Sequence, residues 1–139
     1  MIKNLKKKKG FTLIELIIVI AILAILAAVA IPRLGSMTNK ANRSADIASA
    51  KSIANAISIM VAEEGTPTPA ITKVKLDKAS SNEFVKKVAS HLQSVPEPKT
   101  EDGDFHITVD GSTIKVELVT TGTTPTTTEF FPNVPAPIE

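Results

Sequence analysis

A run of 21 residues from Phe11 to Ile31 carries a single charge and constrains the chain more than any other feature. As an α-helix the run would span roughly 31 Å, about the thickness of one hydrocarbon core. Its one charge is Glu15, and a carboxylate at the bilayer centre costs on the order of 3 kcal/mol on insertion scales. The pattern therefore predicts a membrane-spanning helix in which Glu15 needs a compensating partner.

The charge distribution orients this helix in the membrane. Five of the sixteen basic residues lie in the first ten positions, and only Arg33, Lys40 and Arg43 follow the run closely. The positive-inside rule then places the N-terminus in the cytoplasm and the chain beyond Pro32 outside. Without the first ten residues the balance is eleven basic to fourteen acidic residues. We therefore do not expect the head to bind nucleic acid directly, and we interpret the lysines between Lys73 and Lys87 as a solvated helix face.

Two ordinary interpretations of the run remain open at this point. A plain single-span anchor leaves Glu15 unexplained. A secretory signal cut after Ala30, at the small residues Ala28-Val29-Ala30, also predicts an apolar core without a carboxylate.

The stretch Lys9-Gly10-Phe11-Thr12-Leu13-Ile14-Glu15 resembles the cleavage-and-methylation motif of type IV pilins and the related pseudopilins. The resemblance covers the first third of the chain. It implies that a prepilin peptidase cuts between Gly10 and Phe11 and then methylates the new amine of Phe11. Glycine suits such a cut, since it lets an extended backbone approach a catalytic centre without a side chain in the way.

The resemblance also implies a role for the whole chain. The expected function is a structural subunit of a type IV pilus, held in the cell membrane as a precursor and extracellular after assembly into a homo-oligomeric filament. The implied partners are the prepilin peptidase, a polytopic assembly-platform membrane protein and a cytoplasmic assembly ATPase. The alternatives are a pseudopilin of a type II secretion or competence system and, in another class, a monomeric membrane-anchored extracellular binding domain.

Cleavage would give Glu15 the partner that it lacks. The new amine at Phe11 would lie one helical turn away on the same face, and a first-turn carboxylate also meets the positive end of the helix dipole. Glu15 could neutralise its own N-terminus or pair with Phe11 of a neighbouring subunit, and we favour the neighbour. A buried ion pair of this kind specifies alignment better than it stabilises, so Glu15, with Thr12, is assigned to assembly and register.

The remaining sequence predicts an α+β, pilin-like fold in which a long N-terminal helix packs against a small antiparallel sheet. We divide the chain into a leader (1–10), a hydrophobic helix (11–32), its amphipathic continuation (33–65) and a globular head (66–139). Pro32 should kink the helix or loosen it locally. Two stripes follow at helical spacing. Leu34, Ala41, Ala45 and Ala48 form a small-residue stripe for helix–helix contact in an assembly, and Ile53, Ile57, Met60 and Val61 form a bulkier stripe under the head.

The head contains one short helix and one hairpin by its sequence pattern. Asn82 and its neighbours predict a cap before an amphipathic helix that reaches Leu92. Alternating apolar residues predict a β-hairpin with its turn at Asp110-Gly111, which would pair Ile107 with Ile114 and Phe105 with Val116.

The Thr/Pro-rich tail from Thr120 to Glu139 could add an edge strand through Phe130 and Phe131, with Val134 as a third anchor. The residues around Pro132, Pro135 and Pro137 predict an extended surface loop. A threonine-rich exposed surface could carry O-glycans, but no residue pattern identifies a site.

No catalytic constellation or cofactor motif is present in the sequence. His91 and His106 are interpreted as surface residues, and we expect neither catalysis nor a cofactor. The acidic stretch from Glu101 to Asp104 lacks the alternating ligand spacing of a calcium loop and is interpreted as a solvated turn.

Overall fold

The structure is a computed structural model, and it describes residues 10–132. Its elements are α1 (Leu13–Glu64), β1 (Ile71–Lys75), α2 (Glu83–His91), β2 (Gly103–Asp110), β3 (Thr113–Thr120) and β4 (Thr127–Phe131). The chain divides into two units between Thr38 and Asn39. The first unit contains the apolar part of α1, and the second contains the rest of α1 together with α2 and the sheet.

The helix α1 is 52 residues long and includes Pro32. It ends at Glu64 because Gly65 adopts a φ of +87°, a left-handed conformation that glycine takes without strain, and donates its N–H to the carbonyl of Val61 over 2.9 Å. This is the glycine stop of an α-helix, and it lies at the end of the predicted amphipathic continuation (33–65).

The four strands form one antiparallel sheet in the order β1-β2-β3-β4. The predicted α+β fold, with a long N-terminal helix against a small antiparallel sheet, is confirmed. The strand β1 was not predicted, since the sequence pattern assigns Lys73 and Lys75 to a solvated helix face. An irregularity between Ile71 and Val74 places an extra residue in β1, and Lys73 takes a φ of +49° there. A bulge of this kind breaks the period-two pattern by which a strand is recognised.

The hairpin of β2 and β3 is confirmed, but the predicted register is wrong by two residues. Ile107 pairs with Val116, and Phe105 pairs with Leu118. The turn residues are Gly111 and Ser112, with a φ of +55° at Gly111. Two-residue turns with positive φ at the first position favour glycine there, so Gly111 opens the turn instead of closing it. The apolar side chains keep the predicted face because the shift is even.

The core lies between the helices and one face of the sheet. The helices contribute Ala50, Ile53, Ala54, Ala56, Ile57, Met60, Val85, Val88 and Ala89, and the rest of the core comes from Ile71, Leu76, Phe105, Ile107, Val109, Val116, Leu118 and Phe130. The rings of Phe105 and Phe130 meet edge to face with centroids 6.4 Å apart. The bulky stripe therefore packs under the head as predicted, and β4 is the predicted edge strand. Val134, Pro135 and Pro137 lie outside the described residues.

A buried carboxylate joins α1 to the loop before β2. Asp46 is fully buried, and its Oδ1 and Oδ2 accept the backbone N–H groups of Lys99 and Thr100 over 2.7 Å and 2.9 Å. Asp46 lies four residues before Ala50 on the buried side of α1. These two bonds satisfy a charge that would be costly without partners, and they fix the loop on the helix.

We predict that Asp46→Asn lowers the free energy of unfolding by about 2 kcal/mol, which is roughly 10 °C in Tm for a domain of this size. The asparagine side chain would place an NH₂ donor where Asp46 has an acceptor oxygen. One of the two backbone N–H groups would then lose its acceptor. Asp110→Asn is the matched control, because Asp110 is exposed at the hairpin turn. Thermal unfolding of the full chain in detergent micelles measures both. Equal Tm values for the two variants would contradict the role assigned to Asp46.

Candidate assembly site at the start of the apolar helix

The residues assigned to cleavage lie just before α1 and are open to solvent. Gly10 and Phe11 precede the helix, and the side chain of Phe11 is 87% exposed. A Cβ added at Gly10 would meet no atom within 4 Å. No packing among the described residues therefore requires glycine at this position. A requirement for glycine would have to come from outside the chain, as recognition by a peptidase would impose.

Thr12 and Glu15 cap the first turn of α1 reciprocally. The N–H and the hydroxyl of Thr12 each donate to Glu15 Oε2 over 2.8 Å, and the N–H of Glu15 donates to Thr12 Oγ1 over 3.4 Å. This arrangement is a capping box, in which an N-cap threonine and a glutamate three residues later satisfy each other's backbone donors. It fixes the helix start at Leu13 and gives Glu15 a partner before any cleavage.

The capping box leaves half of the carboxylate available. Both hydrogen bonds to the Glu15 side chain end on Oε2, and within residues 10–132 no bond reaches Oε1. Glu15 is exposed along with the whole first turn. One oxygen can therefore cap the helix while the other accepts a further donor.

The helix that follows is apolar on every side, and its apolar side chains are exposed within the described residues 10–132. All of its large apolar side chains from Leu13 to Met37 are at least 46% exposed. Its most apolar 18-residue window has a mean hydropathy of 3.2 and is unburied, so α1 is long and apolar enough to cross a membrane. A helix without a polar face needs lipid or protein on all sides.

The small-residue stripe is also uncovered, and Pro32 lies inside α1. Ala41, Ala45 and Ala48 are exposed, so their contact with another helix stays a prediction. Pro32 has no N–H to donate to the carbonyl of Ala28, so this one helical hydrogen bond cannot form. The kink expected at Pro32 stays a prediction as well.

Four lysines of the head form salt bridges with carboxylates. The pairs are Lys73–Glu117, Lys75–Asp104, Lys87–Glu64 and Lys115–Glu129, with nitrogen–oxygen distances of 2.8 to 3.9 Å. Hydrogen bonds to Asp104 and Glu64 raise the pKa of Lys75 and of Lys87 respectively. The expectation of a single solvated helix face is wrong. Lys73 and Lys75 lie on β1, Lys78 lies between β1 and α2, and only Lys86 and Lys87 lie on α2.

The remaining candidate residues are not brought together. His91 is exposed at the end of α2, and His106 Nδ1 lies 3.1 Å from the carbonyl oxygen of Lys73. Glu101 and Asp102 are exposed, whereas Asp104 is bound by Lys75. Among residues 10–132 no three histidine, cysteine or acidic side chains are grouped as metal ligands.

Two structural roles were not predicted from the sequence, although each has a recognisable sequence pattern. Thr12 and Glu15 have the spacing of a capping box, a threonine with a glutamate three residues later. Asp46 is in phase with the buried stripe of Ala50 and Ile53, so it could have been placed on the buried face by helical spacing alone.

We predict that Thr12→Val loosens the first turn of α1 while Thr12→Ser leaves it intact. Valine keeps the shape of threonine but removes the hydroxyl, and loss of an N-cap costs about 1 kcal/mol, or roughly fivefold faster exchange. Amide hydrogen exchange of Glu15 in detergent micelles measures the effect. If the valine variant exchanged as slowly as the serine variant, the hydroxyl would have no capping role.

Comparison with known proteins adds one finding to this geometry. A family model described as the prokaryotic N-terminal methylation motif matches residues 5–31. No curated protein and no solved structure matches the chain. The matched stretch contains Gly10, Phe11, Thr12 and Glu15, and the motif implies processing by a prepilin peptidase and assembly into a filament. The chain therefore carries the N-terminal signature of type IV prepilins and pseudopilins, which points to a structural subunit and not to an enzyme.

Proposed function

We propose that this chain is the precursor of a structural subunit of a type IV pilus. The observation that carries the proposal is the apolar helix, which is uncovered on all sides and begins in a capped turn containing Glu15. The prepilin motif and this helix fit a membrane-anchored precursor. The pilus as the final assembly is the further step that we propose.

Assembly exchanges lipid for protein around the same helix. In the membrane, hydrocarbon covers the side chains from Leu13 to Ile31. In a filament, the helices of neighbouring subunits cover them, and the small side chains of Ala41, Ala45 and Ala48 allow those helices to approach closely. The folded domain that carries α2 and the sheet stays outside this helical bundle.

Cleavage between Gly10 and Phe11 supplies the cation that assembly needs. The new amine of Phe11, methylated by the same peptidase, pairs with Glu15 of a neighbouring subunit. The open Oε1 can accept that amine while Oε2 continues to cap the helix through Thr12. The pair sets the axial register of the subunits, since the apolar contacts alone are nondirectional.

The resemblance to type IV prepilins implies the partners that we propose for these steps. A prepilin peptidase acts on the residues before α1, and an assembly-platform membrane protein and a cytoplasmic assembly ATPase extract the mature subunit. The finished filament is homo-oligomeric and extracellular.

We predict that the mature protein begins with N-methyl-Phe11. A tryptic digest of the protein from the organism that encodes it should contain the peptide 11–33. Its mass should exceed that of its sequence by one CH₂, because methylation replaces a hydrogen of the amine by a methyl group. Mass spectrometry of that peptide is the measurement. A mature N-terminus at Ile31 would instead show secretory cleavage after Ala30 and would contradict the proposal.

We predict that Glu15→Gln lowers the yield of sheared surface filaments at least about tenfold, the equivalent of about 1.4 kcal/mol. Glutamine can still accept the hydrogen bonds of the capping box, so this variant removes the charge and keeps the cap. The peptide 11–33 should still appear, because the cut precedes assembly. Thr12→Ser is the control, because it keeps both the charge of Glu15 and the hydroxyl of the capping box.

The outcomes separate the competing functions. Filaments at the normal level in Glu15→Gln would remove the ion pair from the mechanism. Display of the head at the surface without filaments, unchanged in Glu15→Ala, would indicate a monomeric anchored domain. If cells with the unchanged protein formed no surface filament, and the Glu15→Gln variant stopped the export of other proteins, the chain would be a secretion pseudopilin.

A further inference from the structure

The part of α1 that belongs to the folded head carries cations without acidic partners. Lys40 and Lys51 are exposed, Arg43 is partly buried, and none of the three takes part in an ion pair within residues 10–132. The nearest acid on the helix is Asp46, whose two oxygens are occupied by backbone N–H groups. No side chain of the described residues therefore neutralises these cations by direct pairing.

The two exposed lysines lie on one face of α1, which we call the lysine face. Lys40 and Lys51 are eleven residues apart, which is about three helical turns, so their side chains leave the helix in nearly the same direction roughly 16 Å apart. The buried side of the helix lies elsewhere. Asp46 is rotated from both lysines by roughly 120° to 140° around the helix axis at 3.6 residues per turn.

The loop before β2 carries unpaired charge of the opposite sign, and we call residues 97–102 the acidic loop. Glu97, Glu101 and Asp102 are exposed, and within residues 10–132 their side chains take part in no ion pair. Lys99 is the one cation in this stretch, so three acidic side chains against one basic side chain leave a net charge of −2.

The acidic loop and the lysine face lie on different sides of the same domain. The hydrogen bonds to Asp46 hold the loop on the buried side of α1. Pro96, next to the loop, lines a groove together with Ser49. Ser49 lies nine residues after Lys40, which places it roughly 180° away on the helix. The two charged surfaces are therefore turned away from each other within one chain.

This arrangement favours contact between copies in a head-to-tail order. When the acidic loop of one copy covers the lysine face of a second, each copy still has one surface of each sign for the next contact. Such a heterologous contact continues into an open helical assembly instead of closing into a dimer. An anionic lipid surface would match the lysines but would leave the acidic loop without a counterpart.

We propose that the acidic loop of one subunit docks on the lysine face of a second copy of this chain. The carboxylates of Glu97 and Glu101 meet the ammonium groups of Lys40 and Lys51. The inference rests on the proposed filament and adds a polar contact between heads to the contact between apolar helices. Exposed charges of this kind orient the approaching copies more than they add affinity.

Zero-length cross-linking of sheared filaments tests the contact. A carbodiimide joins an amine to a carboxylate that touches it; the reagent leaves as a urea, and the linked pair is lighter by one water. We expect covalent dimers in which Lys40 or Lys51 is linked to Glu97 or Glu101, identified by mass spectrometry of tryptic peptides. The full chain held as a monomer in detergent micelles should give no such link.

Charge reversal supplies an independent readout. Lys40→Glu with Lys51→Glu should lower the yield of sheared filaments at least about tenfold, because like charges then face each other across the contact. Adding Glu97→Lys and Glu101→Lys to the same chain should restore the yield to within about twofold. Lys86→Glu, the same change at an exposed lysine of α2, is the control and should leave the yield unchanged.

The outcomes distinguish this proposal from the proposed function. Normal filaments without the cross-link would overturn the docking proposal alone. A fourfold variant that stays low in filaments, although its head unfolds at the normal Tm, would overturn it as well. Loss of the membrane-held precursor in the double lysine variant would show that the lysines bind lipid headgroups instead. A lack of surface filaments from the unchanged protein would contradict the proposed function, and the docking proposal would fall with it.

Discussion

The structure depends on one constraint, which is that the apolar part of α1 cannot stay in water. Among the residues that the structure describes, its large apolar side chains from Leu13 to Met37 are all at least 46% exposed. Lipid and neighbouring copies of the same helix are the two environments that satisfy it. The core of the folded head contains no residue from the apolar part of α1, since the buried residues of α1 begin only at Asp46. The chain therefore combines a self-sufficient domain with a helix that requires an external partner.

The capping box changes the account of Glu15. The sequence alone suggests an isolated carboxylate that waits for the amine of Phe11. In the structure the carboxylate is already bound by Thr12 through Oε2, and no hydrogen bond from residues 10–132 reaches Oε1. The two roles can then coexist, because a cap uses one oxygen and an intersubunit pair uses the other. Thr12 holds the side chain at the helix start, where a neighbour's amine can reach it. The register proposed for the filament thus rests on a local hydrogen bond that forms before cleavage.

Local sequence patterns predict much of the fold, and the features that they miss have physical causes. The glycine stop at Gly65, the cap at Asn82 and the apolar stripe of Ile53 and Ile57 are short-range signals, and the structure confirms each. The strand β1 was missed because its bulge interrupts the alternation, and the hairpin register was wrong because two turn positions for Gly111 give the same apolar face. Asp46 binds backbone groups more than 50 residues away, and no local pattern shows such a contact. At the candidate site, the sequence motif predicts the residues, whereas the bonds from Thr12 to Glu15 Oε2 are known only from the coordinates.

The central claim is that the amine of Phe11 meets Glu15 of another subunit. Filaments assembled from a mixture of two preparations test it most directly. One carries ¹⁵N at the Phe11 amine, and the other carries ¹³C at the Glu15 side-chain carboxyl. Solid-state NMR should then show a ¹⁵N–¹³C dipolar contact, because each label meets the other only across a subunit boundary. A contact that appears only when both labels are in the same chain would show that Glu15 neutralises its own N-terminus and would contradict the claim.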